Sequence, residues 1–102
     1  MGQAAPNTGP ISHVEGGVFK GYSCIVHQGN IGLYTQAPDI PWSQFRTILI
    51  AARNGTDAEL DAVASATVAW GTWWTAEVVA TGMRPAVRLA LRNHIPPHLP
   101  IP

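Results

Sequence analysis

The chain has 102 residues, of which 46 % are hydrophobic and 12 % are charged. Six basic residues balance six acidic ones, so no overall field would attract nucleic acid or an anionic membrane. A chain of this length fits one domain with one core. Because so little charge is available to cover the outside, we expect some apolar surface to meet another subunit.

The first residues lack the basic and apolar regions of a secretory signal, and the single Cys24 cannot form an internal disulfide. The least charged stretch, residues 63–76, is shorter than the roughly 20 residues that span a bilayer. We therefore expect a cytoplasmic location, or a place in a virion, and no membrane partner.

Both ends of the chain predict extended arms. The first residues carry Gly, Pro, Asn and Thr without apolar periodicity, and residues 95–102 contain four of the nine prolines. We expect an N-terminal arm over residues 1–16, a single domain over residues 17–94, and a proline-rich C-terminal arm over residues 95–102.

Residues 17–36 predict a β-hairpin, because strand-forming residues flank Gly29 and Asn30, a pair typical of two-residue turns. The register set by such a turn pairs Val26 with Leu33, Cys24 with Thr35, and Ile25 with Tyr34.

The next element is predicted as an amphipathic helix, because apolar residues recur at helical spacing at Phe45, Ile48, Leu49 and Ala52. The alternative is a buried strand through residues 45–51, which contain several β-formers. Asn54 and Gly55 then provide a helix stop.

A long helix is predicted to follow. Thr56 begins the sequence T-D-A-E, in which the hydroxyl caps the backbone amide of Glu59 and the carboxylate reaches back. The helix is expected to run to Gly82, and a last helix to start near Arg84 and end before Pro96. The predicted fold class is α+β, mainly α, with an N-terminal β-hairpin packed on a helical hairpin that has one long central helix and a short C-terminal helix.

The long helix carries two apolar stripes. The first is interpreted as the core face and contains Leu60, Val63, Thr67, Trp70, Trp74 and Val78. The second has mostly small side chains that would let another helix approach closely: Ala62, Ala66, Ala69, Trp73, Ala76 and Ala80. We expect the second stripe to form an oligomer interface together with Ile95, Leu99 and Ile101 of the C-terminal arm. The alternative is that both stripes are buried within one subunit.

Trp70, Trp73 and Trp74 place three indoles close together on this helix. We interpret them as core or interface residues, since stacking against a ligand is the rarer use of helical tryptophan.

Arg84, Arg88 and Arg92 lie four residues apart and form a ridge on the last helix. Contact with a phosphate or with a partner is one interpretation. We favour a solvated ridge or one paired with Asp57, Glu59 and Asp61.

Cysteine and histidine could suggest zinc through the sequences C-I-V-H and H-I-P-P-H, which contain Cys24, His27, His94 and His98. The spacing argues against a shared site, because residues three apart on a strand point to opposite faces and the prolines prevent a common helical face. Sequence motifs of a nucleophile elbow, a phosphate loop or a zinc protease do not occur. We expect no catalytic residues, no metal and no other cofactor.

The first hypothesis is a non-enzymatic assembly subunit of a homo-oligomer or larger particle, partnered by copies of itself or by other protein subunits. A small phage virion protein, such as an adaptor or decoration subunit, is an example by architecture alone. The alternative is a small nucleic-acid-binding or regulatory module that uses the arginine ridge, although nucleic acid is not the expected partner. The third hypothesis is a small enzyme or ligand-binding protein built around the tryptophans.

Overall fold

The computed structural model describes residues 14–15, 17–21, 25–28 and 33–93. Within these residues the order of elements is β1 (Val14–Glu15), β2 (Val18–Phe19), β3 (Ile25–Gln28), β4 (Leu33–Gln36), β5 (Ile40–Pro41), α1 (Trp42–Asn54), α2 (Asp57–Ala66), α3 (Val68–Trp73), a π-helical segment (Trp74–Val79) and α4 (Arg84–Asn93). The predicted α+β class, mainly α, is confirmed.

Two small antiparallel sheets precede the helices. The first has the order β1-β2-β5, with Val14 paired to Phe19 and Phe19 paired to Ile40. Residues 18–19 therefore belong to a separate sheet and not to the predicted hairpin. Glu15 and Val14, which the sequence assigned to the N-terminal arm, also belong to this sheet.

Strands β3 and β4 form the predicted hairpin, but the predicted register is wrong. Val26 pairs with Thr35, and Gln28 pairs with Leu33, so four residues separate the last paired positions where a two-residue turn was expected. The pairing is displaced by two positions along the strands.

Gly21 allows the backbone to approach closely between the two sheets. Its amide donates to Oδ1 of Asp39, and a Cβ atom at Gly21 would lie 1.6 Å from the carbonyl oxygen of Ala37. A side chain at this position would therefore displace the segment that leads from β4 into β5.

Helix α1 confirms the prediction of an amphipathic helix, and the alternative, a buried strand, is wrong. Its buried residues are Phe45, Ile48, Leu49 and Ala52. The helix ends at Asn54, as predicted, and Gly55 there has an extended backbone (φ −98°), so this stop does not use a left-handed conformation.

The capping box at the start of α2 is confirmed. The Glu59 amide donates to the Thr56 hydroxyl at 3.1 Å, and the Thr56 amide donates to the Glu59 carboxylate at 2.7 Å. Two amides at the helix start thus gain partners, and both Asp57 and Glu59 place negative charge in the first turn.

The prediction of a single long helix is wrong, because the chain leaves helical geometry at Thr67 (φ −77°, ψ 121°). At this break the Thr67 hydroxyl donates to the carbonyl of Val63 at 3.0 Å. The bend brings Gly71 so close to Ser65 that a Cβ atom on Gly71 would lie 2.6 Å from the Ser65 carbonyl oxygen. The π-helical segment from Trp74 then widens the turn and keeps Trp74 and Val78 buried.

The core lies where β2, β5 and all four helices converge. Phe19 stacks on Phe45 with ring centroids 3.8 Å apart, and Trp70 meets both rings at 5.8 to 5.9 Å. Helix α4 adds Val87 and Leu91, both fully buried. None of the described helices has both the length and the apolar character to cross a membrane.

Candidate functional site

The three clustered tryptophans belong to the core. Trp70 and Trp74 have no exposed surface, and Trp73 retains 5 %. Each indole NH has a partner within the chain: Trp70 donates to the Pro38 carbonyl at 2.9 Å, Trp73 to the Thr35 hydroxyl at 2.6 Å, and Trp74 to the Asp61 carboxylate at 3.1 Å. The rings therefore present neither a free face nor a free NH group for stacking with a ligand.

One part of the predicted oligomer interface is wrong, namely the assignment of Trp73. The sequence placed it on the small-residue stripe, whereas the structure packs its ring against Trp70 (centroids 4.6 Å apart) and against the hairpin through Thr35. Ala69 and Ala76 also lie after the break at Thr67 and are exposed, so it is the contacts with Trp70 and with Thr35 of the hairpin that bury Trp73.

Two arginines of the ridge form ion pairs with carboxylates in the first turns of α2. Arg84 contacts Asp61 at 2.9 Å and Asp57 at 3.8 Å, and Arg88 is paired with Asp57. Pairing with Asp57 and Asp61 was predicted. Glu59 instead accepts the bond of the capping box.

Arg88 also binds the backbone at the end of α1. Its Nε donates to the carbonyl of Ala52 at 3.2 Å, and its Nη2 donates to the carbonyl of Gly55. These are carbonyls at a helix end, which lack partners inside the helix. Arg88 is thus a structural link between α4, α1 and α2.

Arg92 differs from the other two members of the ridge. It is exposed, and among the described residues no ion pair or side-chain hydrogen bond joins it to a partner. It lines a shallow depression with Pro85 and Leu89, whose side chain is 58 % exposed. One unpaired guanidinium is a small basic feature for a phosphate backbone, which is usually met by several cations.

The five alanines of the small-residue stripe are exposed in the single chain. Ala62 and Ala66 lie on α2, Ala69 lies on α3, and Ala76 and Ala80 lie in and just after the π-helical segment. The break at Thr67 separates the first two from the others. The remaining predicted interface residues, Ile95, Leu99 and Ile101, lie outside the described residues.

A groove between α1 and α2 is an apolar surface feature that the sequence analysis did not predict. We call it the α1–α2 groove; it consists of two adjoining depressions that share Thr47 and Val63. Its walls are formed by Thr47, Ile50, Ala51, Ala62, Val63 and Ala66. Val63 was predicted as a core residue, but it is only half-buried and faces this groove.

Val68 extends the apolar surface at one end of the α1–α2 groove. It is the first residue of α3 after the break at Thr67, and its side chain is 93 % exposed. Glu59 at the other end has its carboxylate bound to the Thr56 amide. Apart from Glu59, the residues that line the groove are uncharged, which favours an apolar occupant. The signal in the sequence was the presence of Ile50 and Thr47 on the side of α1 opposite its buried residues.

The cysteine and histidines that were considered for a zinc site lie mostly outside the described ranges. Cys24, His94 and His98 are not among them, and only the backbone of His27, in β3, is described. Among residues 33–93 and the described strands, no group of three or more His, Cys, Asp or Glu side chains has an arrangement that could hold a metal ion.

No family model, curated protein or solved structure matches this chain.

Proposed function

We propose that the chain is a non-enzymatic assembly subunit that associates with copies of itself through apolar surface. The observation that carries the proposal is the α1–α2 groove, with Val68 almost fully exposed at its end. A side chain such as valine contributes about 1.5 kcal/mol or more when it is removed from water. A partner that covers the groove and Val68 would gain this free energy.

The polar and aromatic groups support the same proposal, because the structure already uses them internally. Arg84 and Arg88 are paired with Asp57 and Asp61, and the three clustered indoles donate within the chain. Nucleic-acid binding by the arginine ridge would have to rest mainly on Arg92. A ligand site at the tryptophans would have to open the core.

An assembly of many copies, such as a phage particle, is one setting for a subunit of this kind, and this example rests on architecture alone. Such a role needs no catalytic residue. The carboxylates at the start of α2 are engaged in capping and in ion pairs, which agrees with a structural use.

The proposal is tested by measuring molar mass with light scattering for the full chain, for Val68→Asp and for Ala58→Asp. Val68 is the first residue of helix α3, where an aspartate is well tolerated, so this variant should fold. Its assembled mass should fall because the aspartate places charge on the apolar surface. Ala58→Asp places the same charge in the first turn of α2, at an exposed position outside the groove, and should keep the mass of the full chain. Equal masses for all three proteins at the size of one chain would refute the proposal.

The alternative function is tested with the same preparations. Retention on nucleic acid that falls steeply with salt, and is lost when Arg84, Arg88 and Arg92 are all replaced, would favour the nucleic-acid-binding module. We expect no such retention at physiological salt.

A further inference from the structure

The α1–α2 groove has the chemistry of a site for an extended apolar segment. Its two depressions are continuous through Thr47 and Val63, and they run along α1 from Gln44 to Asn54. Ten residues of α-helix correspond to a length of about 15 Å. The carboxylate at its end, Glu59, already accepts a bond from the Thr56 amide.

The C-terminal segment of the chain matches the groove in character and in length. Residues 95–102 contain no Asp, Glu, Lys or Arg and carry three aliphatic side chains, Ile95, Leu99 and Ile101. Four prolines favour a polyproline II conformation, in which Ile95 and Ile101 would lie about 19 Å apart at 3.1 Å per residue. A polyproline segment makes no hydrogen bonds within itself, so it can bind an apolar groove with few backbone partners.

We propose that the C-terminal segment of one copy lies in the α1–α2 groove of a second copy, with its aliphatic side chains distributed along the groove from Ile50 and Ala62 in one depression to Val68 in the other. This inference rests on the proposed assembly function and adds which segment is inserted and which groove receives it. Proline lowers the entropy lost when the segment is ordered, which favours this mode of binding.

The path of α4 supports a second copy as the acceptor. Val87 and Leu91 of α4 are buried in the core, on the side of α1 that carries Leu49 and Ala52. The groove lies along the opposite side of α1, which carries Thr47 and Ile50. Helix α4 thus packs on the side of α1 away from the groove, which favours the groove of a neighbouring copy as the acceptor for the segment that follows it.

The test uses the full chain, a chain truncated after His94, and two lysine variants on one helix. Ala62→Lys places a charge in the groove, whereas Ala58→Lys places the same charge one turn earlier on α2, at an exposed position outside the groove. A fluorescently labelled synthetic peptide of residues 94–102 is added to the truncated chain, with and without Ala62→Lys. The fluorescence anisotropy of the peptide reports binding.

The inference predicts that truncation and Ala62→Lys both reduce the assembled mass, whereas Ala58→Lys does not. The peptide should bind the truncated chain, and Ala62→Lys should weaken this binding at least tenfold. An oligomeric full chain whose mass is unchanged by truncation would overturn the inference and leave the assembly function intact. A monomeric full chain would overturn both. A truncated chain that keeps its mass but melts earlier would show that the segment binds its own subunit, which also overturns the inference.

Discussion

The carboxylate of Asp61 accepts a hydrogen bond at 3.1 Å from the indole Nε1 of Trp74, a side chain with no exposed surface. The second oxygen of Asp61 accepts from Arg84 at 2.9 Å. One carboxylate on α2 therefore satisfies a buried donor of the π-helical segment and orients the first residue of α4. This contact joins the two parts of the chain on either side of the break at Thr67.

Removal of this acceptor should destabilise the fold. Asp61→Ala leaves the Trp74 NH buried without a partner, and we expect the free energy of unfolding to fall by about 2 kcal/mol. Asp61→Asn keeps an oxygen for the indole and should cost less than half as much. Urea denaturation of the three proteins measures the difference; equal midpoints for the Ala and Asn variants would show that the indole bond has no such role.

The hairpin should depend on the bond between Trp73 and Thr35. Thr35 is 4 % exposed, and its hydroxyl accepts from the indole at 2.6 Å. Thr35→Val should cost about 2 kcal/mol in unfolding free energy because the indole NH loses its partner. Trp73→Phe combined with Thr35→Val should cost less than the sum of the single changes by about 1 kcal/mol. Simple additivity in a double-mutant cycle would contradict this coupling.

Gly71 should be required by the close approach at the helical break. Replacing glycine by alanine inside a helix normally stabilises it by roughly 0.5 to 1 kcal/mol. Here the new Cβ atom would lie 2.6 Å from the Ser65 carbonyl oxygen, so we expect Gly71→Ala to lower the unfolding free energy by about 1 to 3 kcal/mol. Thr72→Ala, at the exposed neighbouring position, is the matched control and should change little. A higher melting temperature for Gly71→Ala would show that the approach is not constrained.

The arginines of the ridge should differ in their contribution to the free energy of unfolding. Arg88→Ala removes bonds to the Ala52 and Gly55 carbonyls and the pair with Asp57, and should cost about 2 to 3 kcal/mol. Arg92→Ala should stay within about 0.5 kcal/mol of the native chain. Chemical denaturation gives both values, and a similar loss for the two variants would contradict the assignment.

Local signals in the sequence predicted the elements whose stability is local. The periodicity of Phe45, Ile48 and Leu49 located α1 and its buried face, and the T-D-A-E sequence located the capping box at Thr56. These features depend on residues within one helical turn of each other.

The errors arose where apolar periodicity and turn residues carry no information about packing. Apolar periodicity continues through Thr67, where the helix breaks, so the pattern did not indicate the break. Trp73 was assigned to the wrong face because its partner, Thr35, lies 38 residues away in the chain. The hairpin register was set wrongly because Gly29 and Asn30 suggested a two-residue turn, whereas Gln28 pairs with Leu33.

The pairing of Arg84 and Arg88 with Asp57 and Asp61 agrees with the sequence analysis. The assignment of the exposed alanines to an oligomer interface stays a prediction. The α1–α2 groove was missed. Thr47 and Ile50 indicate one wall on α1, but the other wall comes from α2, and the crossing of two helices is set by packing and not by either helix alone.

The molar mass of the unmodified full chain at sedimentation equilibrium, measured over a wide range of concentration, tests the central claim of assembly most directly. One chain has a mass of 10.9 kDa. The account predicts a mass that is a multiple of this value at high concentration and that falls on dilution as the subunits dissociate. A mass of one chain at every concentration would contradict it.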